Sequence, residues 1–350
     1  MSGVFYFNYF PNKSKPEEAL DEKYYNKYLK ELFENTKDFC EIVDSINQID
    51  ISNWDTFNVC DTRYMFFGLQ YLTKIKFSKS NFSNVTNMSN MFSNCKNISN
   101  LDLSSFDTSN VRDMSDMFNY CLQLTTLNLS GWNTSKVINM NNMFINCSSL
   151  IKLNLAHFNT HNVKGMNRMF YGCRNLTVLD LSGFDTSNIT DMSEMFAGCQ
   201  SLTKLDLSSF DTSNITNMHR MFRDCQSLID LNISSFDTSN VTDMSQMFSI
   251  CNSLVELDLT SFNLSAVKDI NNMFAGDIKL KTLKIFDWDL ESIENMCCLF
   301  FNCKALTNID FSNITLYCRF SLEEEEGIFA GTKKGLIDKF YNNVNFFYKR

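Results

Sequence analysis

The amino-acid sequence predicts an α/β repeat solenoid of about ten coils, each 26 residues long. We expect a parallel β-sheet on one face and short helical segments on the other. A Met-Phe pair returns every 26 residues from Met65-Phe66 to Met273-Phe274, and one further step reaches Leu299-Phe300. The string FDTSN also recurs, at Phe106, Phe184, Phe210 and Phe236. No insertion interrupts the period, so each unit is a structural coil of fixed length.

One unit, residues 98–121, illustrates the elements. Ile98, Leu101 and Leu103 lie among polar residues in near alternation, which predicts a short strand. Phe106 and four polar turn residues follow. The next apolar residues are spaced 3, 3, 1 and 3 apart, typical of a short helical or 3₁₀ segment with one buried face: Val111, Met114, Met117, Phe118 and Cys121. A single unit cannot bury these side chains, whereas stacked units can.

The composition excludes several classes of protein. The 350 residues are 44% hydrophobic, too apolar for a disordered chain. The net charge of −9 argues against a nucleic-acid partner. No apolar run is long enough for a transmembrane helix. The three histidines do not form a catalytic triad pattern, and no glycine-rich phosphate loop or paired-carboxylate motif stands out. We therefore predict no enzyme activity, no catalytic residue and no cofactor.

Cysteine also follows the period. Eight of the 13 cysteines form one column: Cys95, Cys121, Cys147, Cys173, Cys199, Cys225, Cys251 and Cys303, with Asp277 replacing one member. Side chains of one column project in parallel, which opposes disulfide geometry. The sequence predicts a column of buried thiols, with disulfides or a metal as open alternatives. The odd number of thiols favours a reducing compartment.

The exposed side of the predicted strands carries the candidate binding residues. An Asp/Asn column lies between the strand leucines, and it is interpreted as a hydrated acidic stripe, with calcium binding as the alternative. The column two residues earlier changes from coil to coil, which indicates either specificity or unconstrained drift. The predicted ligand-binding residues are Lys152, Asn154, Asp180, Lys204, Asp206, Asp230, Asn232, Glu256 and Asp258.

The repeat text resembles a known family. Residues 199–222 read CQSLTKLDLSSFDTSNITNMHRMF, which is similar to the 26-residue leucine-rich repeats of BspA-like bacterial surface proteins. The resemblance covers about residues 46–316. It implies a right-handed leucine-rich-repeat solenoid, a cell-surface or secreted location and a non-enzymatic role in adhesion or in recognition of a protein or glycan. A structural protein that assembles into homo-oligomeric arrays is the alternative.

Both ends depart from the period. Residues 1–45 are predicted to form a helical N-terminal cap, residues 46–316 the array, and residues 317–350 a degenerate final coil and C-terminal cap. The acidic run Glu323–Glu326 is interpreted as a solvated insertion, with a functional acidic tail as the alternative. The first residues do not form a convincing export signal, so a cytoplasmic location also stays open.

Overall fold

A computed structural model describes residues 46–52, 56, 58–77, 82–311, 314–317, 327–343 and 345–347. The predicted N-terminal cap over residues 1–45 and the acidic run lie outside these residues. The described part contains thirteen short strands and one helix, α1: β1 Gln48–Asp50, β2 Lys74–Lys76, β3 Asn100–Asp102, β4 Thr126–Asn128, β5 Lys152–Leu153, β6 Val178–Leu179, β7 Lys204–Asp206, β8 Asp230–Asn232, β9 Glu256–Asp258, β10 Thr282–Lys284, β11 Asn308–Ile309, β12 Thr315–Tyr317, α1 Lys334–Asn343 and β13 Asn345–Phe347.

The strands β1 to β11 stack in parallel, one from each coil. Where they pair, each residue faces its counterpart 26 positions away, as Lys204 faces Asp230 and Leu205 faces Leu231. A second set of parallel bridges joins neighbouring coils at a later position within each repeat. One example is the bridge between Asp113 and Asn139. The predicted leucine-rich-repeat solenoid of about ten coils, with its parallel sheet, is confirmed.

The short helical segments predicted for the other face are wrong. The segment after each bridge is a run of turns, in which Asp116 and Tyr120 adopt left-handed φ angles of 57° and 58°. The N–H of Asp116 donates to the carbonyl of Asn141 in the next coil at 2.9 Å, while Asn119 donates to the carbonyl three residues before it at 3.1 Å. Left-handed residues end helical winding and direct every other N–H group towards the neighbouring coil. The coils are thus hydrogen-bonded on both faces.

The interior consists of stacked identical side chains. The phenylalanines of the Met-Phe pairs form the Phe column, in which Phe196 stacks on Phe170 at 5.8 Å and on Phe222 at 5.7 Å between ring centroids. The rings of these pairs lie within 7° of parallel, and all three are fully buried. Methionine and leucine columns surround them. The spacing that repeats in the sequence therefore becomes direct contact between neighbouring coils.

Threonine joins the coils at the turn that follows the strand. Thr212 is 1% exposed, and its hydroxyl donates to the carbonyl of Asp237 in the next coil at 2.9 Å and accepts from the N–H of that residue at 2.8 Å. The same column is buried from Thr108 to Thr238. The sequence predicts only a polar turn here. Its threonine is a buried connection that satisfies backbone groups of the adjacent coil.

The Phe column continues past the last regular coil. Phe329 stacks on Phe300 at 5.5 Å, and the N–H of Phe300 donates to the carbonyl of Ile328. Helix α1 buries Leu336 and Phe340, and Phe340 contacts the ring of Phe329. Strands β12 and β13 pair in parallel beside it. The domain boundaries at residues 45 and 316 stay predictions.

Candidate functional site

The exposed side of strands β5 to β10, here called the strand face, holds all the predicted binding residues. Lys152, Lys204, Asp230 and Glu256 occupy the variable column and are exposed. The Asp/Asn column follows two residues later, and its members are exposed except for Asn232, which is half-buried. The parallel register brings residues of successive coils side by side: Lys152 with Val178 and Lys204 with Asp230.

Ion pairs link neighbouring coils across this face. The Nζ atom of Lys204 lies 2.8 Å from Oδ2 of Asp230, and this hydrogen bond raises the pKa of Lys204. Lys284 contacts Glu256 and lies 3.7 Å from Asp258, and the contact with Glu256 is the main cause of its raised pKa. These pairs are exposed, so solvent and salt screen them. The side chains of these pairs can therefore pair with charged groups of a binding partner instead, at little cost in free energy.

The Asp/Asn column has a local structural role. Oδ1 of Asp206 accepts a hydrogen bond from the N–H of Ser208 at 3.1 Å, and Asn154 accepts one from Ala156 at 3.1 Å. The pKa of Asp206 is lowered because Ser208 donates to its carboxylate. A side-chain oxygen that accepts from the backbone two residues later forms an Asx turn, and here that turn ends the strand. This role explains why Asp or Asn occupies the column in every coil from Asp102 to Asp258.

The same hydrogen bonds bear on the calcium alternative. One oxygen of each such side chain already serves the turn, whereas calcium takes six to eight oxygen ligands. Over the described ranges, no group of three or more His, Cys, Asp or Glu is arranged to hold a metal ion. Nothing in the arrangement of the strand face therefore favours a metal site.

Exposed apolar side chains occur on, or directly before, the same strands. Val178 on β6 is 59% exposed and Ile229, directly before β8, is 64% exposed. Ile151 and Val255 occupy the same column as Ile229 and are 49% and 44% exposed. Sequence reasoning missed Ile151, Ile229 and Val255. The signal that could have found them is an apolar residue in a column that elsewhere holds Ser or Thr, as at Ser99, Thr125, Thr177 and Thr203.

The cysteine column forms a thiol ladder of buried, unpaired side chains. Cys199 Sγ donates to the carbonyl of Phe170 in the preceding coil at 3.2 Å, and the other column members make the equivalent contact. Burial raises the pKa of Cys173 and Cys225 to about 12. All cysteines in the described part of the chain are free thiols. The ladder members are therefore structural hydrogen-bond donors rather than nucleophiles.

Asp277 interrupts the thiol ladder with a carboxyl group. It is fully buried, and its Oδ1 accepts a hydrogen bond from the N–H of Cys251 at 2.7 Å. Its Oδ2 has no hydrogen-bond partner among the described residues. Desolvation raises the pKa of Asp277 far above the ordinary value, which favours the neutral acid. A charge at this position would face only the apolar interior and its thiols.

The three histidines make separate, local contacts. His157 lies 2.8 Å from the carbonyl of Leu129, and His161 lies 2.8 Å from Oδ2 of Asp185. The third, His219, hydrogen-bonds Ser245 of the next coil. The interaction with His161 contributes to the lowered pKa of Asp185, about 2, after the hydrogen bond from Ser187. The imidazoles thus connect coils and do not converge on one site.

Comparisons with known proteins found one matching family model and several similar solved structures. No curated protein matches it. Among solved structures, a leucine-rich cell surface protein from Faecalibacterium prausnitzii A2-165 is similar at 15% identity, with a TM-score of 0.38, over 82% of this chain and 86% of that one. A leucine-rich repeat protein from Bacteroides ovatus ATCC 8483 is similar at 16% identity, with a TM-score of 0.32, over 87% and 84% of the two chains.

A third similar structure is the complex of TLR13 with ssRNA13, at 15% identity and a TM-score of 0.27, over 88% of this chain and 51% of that one. In the part of the chain that the structure describes, no helix has the length and apolar content to cross a bilayer. A family model described as "Mycoplasma protein of unknown function, DUF285" matches residues 27–152, 123–228, 146–254 and 228–334. Because these matches extend over most of the sequence, the chain belongs to the DUF285 family.

Proposed function

We propose that the chain is a non-enzymatic binding protein that recognises a protein or glycan through its strand face, in the manner of an adhesin such as the BspA-like proteins. The observation that carries the proposal is the combination on this face of exposed apolar residues with exposed ion pairs. Ile229 directly precedes Asp230 of the Lys204–Asp230 pair, and Val255 holds the same position one coil later. An apolar centre with a polar surround is the usual composition of a recognition surface.

The solenoid supplies the rigidity that such a surface needs. Hydrogen bonds between coils hold both the strands and the turns, so the exposed side chains are displayed on a fixed frame. A standard interface buries about 800 Å² on each partner, more than one three-residue strand can offer. The proposed contact therefore extends over several adjacent coils.

Binding of the fluorescently labelled full chain to printed glycans and to purified extracellular proteins tests this proposal. A variant combining Lys152→Ala, Val178→Ser and Lys204→Ala should lose most of the signal of any partner found. Asp206→Asn belongs in the same set, because Asn preserves the turn hydrogen bond while removing the charge. Retention of the signal in this variant would contradict the proposal.

The matched control changes exposed basic residues away from the strand face, Arg112→Ala and Lys164→Ala. Arg168 and Glu194 are not suitable as control positions, because Glu194 is only 7% exposed and pairs with Arg168 at 2.7 Å. Light scattering of the parent distinguishes the alternative of an assembling protein. A binding protein should keep a mass near 40.6 kDa as its concentration rises, whereas an assembling protein grows.

A further inference from the structure

A groove lies at the corner where the turn run ends and the chain returns towards the strand. The residue before each ladder cysteine is left-handed, as at Tyr120, Asn146 and Asp224. In two successive coils this residue is glycine: Gly172 and Gly198, with φ angles of 69° and 76°. The backbone of Gly198 contributes to the floor, whereas Gly172 is buried beneath the side chain of Asn146. The result is an edge groove of about 540 Å³.

The walls of the edge groove carry aromatic and charged groups. Tyr120 and Tyr171 line the groove two coils apart, and Tyr120 is 43% exposed. Arg174, Arg223 and Asp224 complete the lining. This set differs from the strand face in composition and in position, since it belongs to another corner of the coil.

The guanidinium groups of this groove lack carboxylate partners. Among the described residues, the arginines in ion pairs are Arg63 and Arg168, so Arg174 and Arg223 remain unpaired. Moreover, Nε of Arg223 is buried with no hydrogen-bond acceptor in the described part of the chain. A buried donor without an acceptor is costly. The other N–H groups of Arg174 and Arg223 have no carboxylate partner in the described part of the chain, and a bound carboxylate would supply one with the planar geometry that guanidinium prefers.

Asp224 limits which anion can bind. Its two carboxylate oxygens accept hydrogen bonds from Nε2 of Gln200 and of Gln226, each at 2.7 Å. Each oxygen keeps a further lone pair for a donor from a ligand. A ligand whose anionic group is far from its donors can place the anion near the arginines and a hydroxyl donor at Asp224, which a compact anion such as phosphate cannot do. The groove therefore favours a ligand that bears an anionic group at one point and hydroxyl donors at another.

We propose that the edge groove binds a carboxylate-bearing sugar of an acidic glycan. Its carboxylate pairs with Arg174 and Arg223, its hydroxyl groups donate to Asp224, and its apolar ring face packs on a tyrosine of the groove wall. This site stands independently of the proposed function of the strand face, because it shares no residue with it.

The test is isothermal titration of the full chain with a panel of uronate-bearing and sialate-bearing oligosaccharides and their carboxyl-reduced counterparts. At least one acidic oligosaccharide should bind, about tenfold or more tightly than its neutral counterpart. Arg223→Gln should remove most of that difference. Absence of binding across the acidic panel, or equal affinity for a carboxyl-reduced sugar, would overturn the proposal.

The glycine floor permits a second, steric variant. Gly198→Asn places in the groove the residue that the same column holds at Asn94 and Asn146, where the backbone is already left-handed. It should abolish binding, while Gly276→Asn, the same change outside the groove at a φ of 84°, should leave it intact. Circular dichroism verifies that each variant is folded. If Gly198→Asn does not fold, the effect of Arg223→Gln on binding tests the proposal instead.

Two further probes separate other ligand classes. Inorganic phosphate and a short acidic peptide carry anionic groups without the ring hydroxyls of a sugar. Tighter binding of either than of every acidic oligosaccharide would overturn the assignment to a glycan. Lys204→Ala on the strand face should leave titration of the edge groove unchanged, so the outcome here is distinguishable from that of the strand-face proposal.

Discussion

The interior columns and the strand face follow the same 26-residue period, yet they differ in how much they vary. The Phe column keeps one residue type from Phe66 to Phe300, with stacked rings in each step. The variable column of the strand face changes from Lys152 to Val178 and then to Lys204. Each interior side chain packs against copies of itself above and below, so a change disturbs three coils. Each exposed side chain faces solvent, which permits variation.

The largest effect should come from placing a charge in the Phe column. Phe196→Asp should destabilise the fold by at least about 4 kcal/mol, because it buries a carboxylate between Phe170 and Phe222 without a partner. Thermal melting by circular dichroism measures this. Val178→Asp, on the strand face, should cost less than about 1 kcal/mol. Similar melting curves for the two variants would remove the distinction between the regions.

A smaller loss is expected at the buried threonine connection. Thr212→Val removes both hydrogen bonds to the backbone of Asp237 and leaves two polar groups unsatisfied. The expected cost in the free energy of unfolding is about 2–4 kcal/mol, from urea denaturation. Ser209→Ala, an exposed change in the same turn, should stay within about 0.5 kcal/mol. Equal effects of the two would show that the threonine is not a connection.

Asp277 gives a test in which an interior change stabilises. Asp277→Cys restores the thiol ladder, removes an unsatisfied oxygen and should stabilise by about 1–3 kcal/mol at neutral pH. The pKa of Asp277 is raised above its ordinary value of 3.8 in the folded chain. The unfolded chain therefore releases its proton first, and the parent loses stability as pH rises from that value to the folded pKa.

The advantage of Asp277→Cys should accordingly grow with pH and be smallest near pH 4. Denaturant unfolding at a series of pH values measures it. Cys225→Asp is the reciprocal control, since it should import the same loss at rising pH into a regular coil. A pH-independent difference would mean that the buried carboxyl does not titrate in this range.

The smallest effect should appear in the Asp/Asn column of the strand face. Asp206→Asn retains the oxygen that accepts from Ser208, so its stability should match that of the parent. Asp206→Ala should be slightly less stable than the parent because the turn hydrogen bond disappears. Melting temperatures of the pair distinguish a structural turn residue from a purely solvated one, which would tolerate both changes equally.

Much of this architecture was predictable because it depends on identity between coils. The period, the parallel strands and the buried columns all follow from apolar residues recurring at one interval. The thiol ladder followed from the parallel projection of Cys95 and its successors, and the structure confirms that these thiols are free and buried. The domain boundaries and the binding role of the strand face stay predictions.

The turn runs were not predictable from spacing. Apolar residues at intervals of three and one suit a helix, but Arg220 and Ile250 adopt φ angles of 54° and 64°. Neither residue type favours that conformation, and a branched side chain disfavours it strongly. Hydrogen bonds to the next coil, such as that from Arg220 to the carbonyl of Ser245 at 2.9 Å, hold these residues there.

The sequence by itself therefore determined the length of each coil, the side chains that stack and the residues exposed along the strands. Only the tertiary structure decided how the chain turns between them, which polar residues connect coils and where the edge groove lies beside Gly198. The reason is physical: a period specifies which residues become neighbours, whereas backbone conformation at a turn is set by hydrogen bonds that exist only once the neighbouring coil is in place.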